Sequence, residues 1–344
     1  MNISKLVRPN ILNLKPYSSA RDEFSGSASV FLDANENPFN TPLNRYPDPG
    51  QQELKGRIAG LKGVDPEQIF LGNGSDEGID MLFRVLCEPG VDNVITVDPT
   101  YGMYGVCAEI NNVERRSVLL NRDFSLDPGA VLEALDERTK LVFLCSPNNP
   151  TSNTLDREAI LKILDGVNCM VVVDEAYIEF SSGRGLLSLL SKNPKLVILQ
   201  TLSKAWGFAG IRLGMLFAHP ELIGYLSSVK YPYNINSLTL EAALKGLEEK
   251  IRTQNWIKEI LKERKQMARE LEGFAFVKQV HPSDANFLLI RVEDPSAVYH
   301  FLMSRGIIIR DRSSVPLCEG CLRITIGSKE ENRALIAALK TFQS

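Results

Sequence analysis

Apolar and polar positions follow two rhythms that alternate from about residue 50 to residue 218. Short, nearly unbroken apolar runs include QIFLG (68–72), NVITV (93–97), LVFLC (141–145), MVVV (170–173), LVILQ (196–200) and IRLGMLFA (211–218). Their length and density suit strands buried on both faces, as in a mostly parallel sheet. Amphipathic segments stand between them. In SDEGIDMLFRVLC, Ile79, Leu82, Phe83 and Leu86 recur at helical spacing along one face, and DREAILKILDGV has the same texture. Strand followed by helix, repeated, predicts an α/β large lobe whose mostly parallel sheet is covered by helices on both faces.

Both ends depart from this rhythm. Residues 1–48 are rich in Pro, Asn and Ser (RPNILNLKPYSSAR, LDANENPFNTPLNRYPDPG) and read as an extended arm, expected to belong with a smaller lobe. After KYPYNIN, a helical stretch over about 238–271 leads to FVKQVHPSDANFLLIRV, a helix near PSAVYHFLMSRG, a strand CLRITIG and a closing helix ENRALIAALKTF. These make a smaller α+β lobe. The expected division is therefore an arm (1–48), a large domain (49–237), and a long helix with a small C-terminal domain (238–344).

Composition narrows the classes. A chain of 344 residues with 44% hydrophobic and 24% charged residues is an ordinary globular mix, large enough for two lobes. A net charge of −3 offers no basic field to nucleic acid or an anionic membrane. No apolar run approaches a membrane span, and MNISKLVRPN lacks the apolar stretch of a secretion signal, so a cytoplasmic location is expected. The six cysteines are scattered; the C-x-x-C in CEGC (318–321) has neither a second pair nor a histidine near it in sequence. With only His219, His281 and His300 besides, no metal site is expected.

Four loops at the ends of predicted strands carry polar groups a core does not need. GNGSDEG (72–78) combines glycines with Ser75 and Asp76 at a helix start, which suits either a phosphate cradle or a plain N-cap. CSPNNPT (145–151) fixes a turn around Asn149. In VVVDEAY, Asp174 follows a run of apolar residues, so it ends a buried strand and requires a cation or donors. TLSKAWGFAGIR places Ser203 and Lys204 just past another buried strand, where open α/β folds hold ligands, with Arg212 beyond. An amine, a buried acid and phosphate anchors form the inventory that pyridoxal 5′-phosphate requires.

The order N-P-T, D-E-A-Y, S-K, then R resembles the fold type I pyridoxal-phosphate aminotransferases. More narrowly, LDANENP, NRYPDP, PTYGMY, CSPNNPT, DEAYIEF, TLSKAWGFAGIR and GCLRITIG are similar to the histidinol-phosphate aminotransferase family, from about Leu32 to Gly327. Ser152 departs from the pattern, standing where relatives carry Gly.

The resemblance implies roles. Lys204 would bond the cofactor aldehyde and shuttle the substrate proton, Asp174 would pair with the pyridinium nitrogen, and Asn149 and Tyr177 would donate to the ring's phenolate oxygen. Tyr101 would stack on the ring, while Ser75, Asp76, Ser203 and Arg212 would hold the phosphate. Tyr46 would reach the cofactor phosphate of a neighbouring subunit, implying a homodimer with shared sites. Arg323 and Arg310 would bind substrate anions, Tyr17 and Asn35 would line the substrate side, and Arg312 is read as solvated. The expected reaction moves an amino group between L-glutamate and 3-(imidazol-4-yl)-2-oxopropyl phosphate, giving 2-oxoglutarate and L-histidinol phosphate. The alternatives are an aromatic aminotransferase or a phosphothreonine decarboxylase of the same fold, or a cofactor-binding regulator without turnover.

Overall fold

The computed structural model describes residues 2–17, 29–183 and 185–342. Seven strands form the large sheet: β1 (Ile69–Asn73), β2 (Asn93–Asp98), β3 (Glu114–Leu119), β4 (Thr139–Cys145), β5 (Met170–Asp174), β6 (Leu196–Thr201) and β7 (Leu213–Phe217). Their spatial order is β1-β7-β6-β5-β4-β2-β3, and β7 runs antiparallel to both of its neighbours. Alternation along each strand divides the side chains between two cores. Phe143, Val172 and Leu199 meet α3 (Ser75–Leu86), α4 (Met103–Ile110) and α7 (Pro220–Val229) on one face. Val142, Val173 and Ile198 meet α2 (Gln52–Lys62), α5 (Pro128–Glu133) and α6 (Arg157–Gly166) on the other. Each fully buried Leu, Ile or Phe contributes about 1.5–3 kcal/mol of hydrophobic free energy, so the helical layers hold the strand ends in fixed positions. β3 carries no apolar run, since half of its segment ERRSVL is charged; as an edge strand it can keep those charges at the surface.

The arm departs from expectation. Ahead of α1 (Pro9–Leu12), Ile3 and Val7 are buried in the core that α3 and α7 share. The Arg8 backbone N–H donates to Val85 at 3.0 Å, and that of Ser4 donates to Glu221 at 3.1 Å. The first residues of the arm thus pack on the large lobe rather than the small one, because that is where their two apolar side chains find cover. The single helix expected over 238–271 is two, α8 (Ser237–Glu248) and α9 (Lys250–Glu272), broken at Glu249 with ψ 35°. α8 buries Ala243 in the large-lobe core, which carries that lobe past residue 237, whereas α9 buries Met267 and Leu271 in the small one.

The small sheet has the order β10-β11-β9-β8, antiparallel throughout: β8 (Val277–Val280), β9 (Phe287–Val292), β10 (Arg310–Asp311) and β11 (Cys321–Thr325). Leu288, Ile290, Leu322 and Ile324 pack with α9, α10 (Pro295–Ser304) and α11 (Lys329–Leu339). Phe287, Leu289 and Cys321 point the other way, into the large-lobe core. Arg323 shares the parity of Cys321 and so faces the large lobe. Among the described residues, no helix is long and apolar enough to cross a membrane.

Candidate active site

The carboxyl ends of β2, β4, β5 and β6 open into a cleft of about 810 Å³, closed on one side by the edge of the small sheet. Asp174 is the last residue of β5 and only 2% exposed. Its Oδ1 accepts the backbone N–H of Ala176 at 3.0 Å and its Oδ2 accepts the Tyr104 hydroxyl at 2.8 Å. Burial raises its carboxyl from 3.8 to about 6, against the lowering effect of these donors and of Lys204. Lys204 follows β6 and lies over the Tyr177 ring, its Nζ 5.5 Å from the centroid. Its side chain is open to the cleft, yet the surrounding walls and the Arg323 charge lower its ammonium pKa.

The candidate phosphate cradle lies between β1, α3 and β7. Gly74 (φ 77°) occupies the N-cap of α3, and no side chain caps the helix. Gly74 rather than Ser75 or Asp76 is thus the cap residue; Ser75 and Asp76 sit inside the first turn and border the cleft, and an uncapped helix start is favourable to an anion. A Cβ on Gly74 would come within 2.5 Å of Arg212 Nη2. Arg212 lies in the left-handed region (φ 53°), is 3.5 Å from Asp76, and borders the same cleft. Ser203 Oγ is buried there without a hydrogen-bond partner.

Asn149 and Tyr177 line the opposite side. The Arg323 guanidinium donates to the Asn149 amide oxygen, so the amide's NH₂ is the group available to another acceptor. Ser152, the departure from the motif, adopts φ 67°; its N–H reaches Asn148 O at 2.8 Å and its hydroxyl Pro282 O at 3.1 Å. Arg323 also lies over Phe287 at 5.3 Å and pairs across the strand with Arg310. Burial lowers the pKa of Arg323, with the Arg310 charge adding to it.

Several expectations are corrected. Arg312 is not solvated: it lines the cleft beside Arg310 and Arg323, and its Nε is buried without a partner. The segment IIIRDR held the signal, since residues two apart in an extended chain share a face. Asn35 and Tyr17 do not line the chain's own cleft; Tyr46, expected to serve a neighbouring subunit, also lies outside it. Tyr46 stacks on Tyr233 at 4.4 Å and, with Asn35, borders a separate hollow next to the start of α8. Tyr17 is 76% exposed. Tyr101 does line the cleft, with its hydroxyl on Asp76 at 3.0 Å. CEGC does have a histidine beside it, because β8 and the loop after it carry His281 to Cys321. Nothing in the sequence marks Tyr104: its spacing from Tyr101 corresponds to about one helical turn but does not show its contact with Asp174.

These residues fit pyridoxal phosphate. An amine with a lowered pKa, a held carboxylate, an unpartnered buried hydroxyl beside a guanidinium and an uncapped helix match the aldehyde, ring nitrogen and phosphate in turn. A nucleotide would use the cradle but leave Lys204, Asp174 and Asn149 without work.

Comparison with known proteins agrees. The family model for aminotransferase class I and II matches residues 27–339. A histidinol-phosphate aminotransferase of Parabacteroides distasonis is 58% identical over 342 residues, covering 99% of each chain. Among solved structures, the histidinol-phosphate aminotransferase from Clostridium acetobutylicum is 25% identical with TM-score 0.80, covering 87% of this chain and 90% of that one. The enzyme from Sinorhizobium meliloti in complex with pyridoxal-5′-phosphate is likewise 25% identical with TM-score 0.80, covering 87% and 82%. With its mixed seven-stranded sheet, its smaller antiparallel sheet and this site, the chain belongs to the class I and II aminotransferase family, whose cofactor is pyridoxal phosphate.

Proposed function

We propose that this protein is a histidinol-phosphate aminotransferase acting in histidine biosynthesis. It moves the amino group of L-glutamate to 3-(imidazol-4-yl)-2-oxopropyl phosphate, reversibly, in two half-reactions of ping-pong type. The observation that carries the substrate reading is the arginine corner. Arg310, Arg312 and Arg323 converge on one mouth of the cleft, and burial lowers the pKa of the last two. Three guanidiniums in one place require an anion, and a phosphate monoester supplies more charge than a carboxylate alone.

When bound, pyridoxal phosphate supplies an electron sink for the carbanion left on the substrate. Asp174, its carboxylate held at both oxygens, would pair with the ring nitrogen. Ser203, Arg212 and the first turn of α3, which border the cleft, would hold the cofactor phosphate, and the Asn149 amide and Tyr177 hydroxyl would donate to the ring oxygen. Lys204 Nζ, its pKa lowered, takes the proton from the substrate Cα as a general base. Arg323 orients the substrate anion: a carboxylate of glutamate in one half-reaction, the phosphate in the other.

Tyr46 and Asn35 are proposed to complete the cleft of a second copy in a homodimer. Tyr46 lies outside its own cleft, and Leu32, Phe39 and Leu43 around it are exposed in the single chain. A cytoplasmic location is supported by six cysteines that are buried and free.

The test is amine transfer from L-glutamate to a panel of oxo acids and the imidazole phosphate ketone. The phosphate ketone is expected to exceed phenylpyruvate in kcat/KM by at least ten-fold. A better aromatic acceptor would replace the substrate reading, and carbon dioxide release from O-phosphothreonine would replace the reaction.

A further inference from the structure

Asp174 is not held by the backbone alone. Its Oδ2 accepts from Tyr104, a residue 70 positions away that is completely buried and does not line the cleft. Its Oδ1 accepts from Ala176, so the two donors lock the plane of the carboxylate between them. The Tyr104 ring cannot swing aside. It stacks on Phe143 at 4.7 Å and 16°, Phe143 stacks on Phe83 at 5.6 Å, and the Tyr101 ring meets it edge-on at 5.6 Å. We propose that Tyr104 is a positioning residue for the reaction: its hydroxyl orients Asp174 and holds it as the anion that the cofactor's ring nitrogen needs.

The electrostatics support this reading. A neutral carboxyl could not stabilise a protonated ring nitrogen, yet burial pushes Asp174 toward the neutral form at pH values just below neutrality. A hydrogen bond donated to the charged form opposes that shift. Tyr104 remains a donor throughout, since burial and the facing Asp174 drive its own pKa well above the ordinary phenol value. The other titratable groups that face Asp174 or Tyr104 are Asp76 from α3, Lys204 after β6, Cys145 from β4, Tyr101 ahead of α4 and Tyr177 after β5. Asp76 works against the anion and Lys204 for it; Cys145, Tyr101 and Tyr177, their pKa values raised, stay neutral. Tyr104 is thus the one side chain that donates directly to Asp174 among the described residues.

The proposal deepens the cofactor reading and rests on it. The experiment is Tyr104→Phe, which keeps the ring stack and removes one oxygen, compared with Phe143→Leu, which loosens the stack and keeps the hydroxyl. Two quantities are read: the pH dependence of pyridoxal phosphate affinity, by titrating stripped protein, and kcat and KM for glutamate in the reloaded enzyme. Tyr104→Phe should move the acid limb of cofactor affinity upward by about one pH unit and lower kcat near pH 7 about ten-fold, with KM within two-fold. Phe143→Leu should lower thermal stability and leave the acid limb in place. Replacing Tyr104 by 3,5-difluorotyrosine, a stronger donor, should move the limb downward, which keeps the test open if Tyr104→Phe does not fold. An unmoved limb in both Tyr104 variants, or an equal shift in Phe143→Leu, overturns the proposal. Failure of the unaltered protein to bind pyridoxal phosphate at all would instead overturn the cofactor reading.

Discussion

Asp174 shows what a single residue owes to its surroundings. A carboxyl whose pKa in the folded protein lies above its unfolded value binds its proton more tightly when folded. Its contribution to stability is therefore full below the unfolded value and is lost as pH rises. With Asp174 raised from 3.8 to about 6, protein stripped of cofactor should lose stability between roughly pH 4 and pH 6. Glu175, which accepts from Leu186 and Gln200 on the other face of the sheet, is raised by burial from 4.5 to about 7 and adds a loss of the same sign up to that pH. Denaturant midpoints across pH 4 to 8 should fall, Asp174→Asn should flatten the lower part of the fall, and Glu175→Gln the upper. A midpoint that rises over this range in the stripped protein would contradict both assignments. The burial of Asp174 was legible from the apolar run before it. Its donors were not, because Tyr104 lies on another element and nothing local to either residue encodes their meeting.

At the level of elements, the cradle depends on how closely β7 approaches the start of α3. Gly214 pairs with Gly72, and a Cβ on Gly214 would fall 2.2 Å from the backbone of Gly74 and Ser75. Gly214→Ala must therefore push the strand and the helix start apart. It is expected to cost about 1–3 kcal/mol in stability and at least ten-fold in pyridoxal phosphate affinity, measured by unfolding and by cofactor titration. Native affinity in that variant would mean that the cradle tolerates displacement. Strands buried on both faces and strongly periodic helices were readable from the chain. The charged edge strand β3 and the break at Glu249 were not, since an edge needs no apolar pattern and a one-residue interruption leaves helical periodicity nearly intact. Arg312 was readable in part: it stands two residues past Arg310 and so shares its face, but only the position of β10 beside the cleft shows which way that face turns.

For the whole molecule, the question is where one chain's site ends. The small sheet sends Arg323 and Arg310 across to the cleft, so the two lobes form a single site. Tyr46, by contrast, lies with Tyr233 and the start of α8, outside that site. If a second copy shares it, Tyr46→Ala should weaken cofactor binding about ten-fold on its own. Co-refolding Tyr46→Ala with the inactive Lys204→Ala should then restore part of the native rate, because the hybrid holds one site with both residues intact. No recovery in the hybrid, checked by activity and by sedimentation, would leave Tyr46 a surface residue of its own chain.

The chain by itself determined the strand–helix alternation, the large and small lobes and the inventory of amine, acid, phosphate anchors and arginines. These are local matters, set by spacing along a helix or strand and by the cost of charge beside apolar runs. Only the tertiary structure decided which inventory residues meet. It joined Tyr104 to Asp174, turned Arg312 inward, seated the first residues of the arm on the large lobe, and brought His281 to Cys321. Such meetings depend on how layers pack across long separations in sequence, where no periodicity reaches.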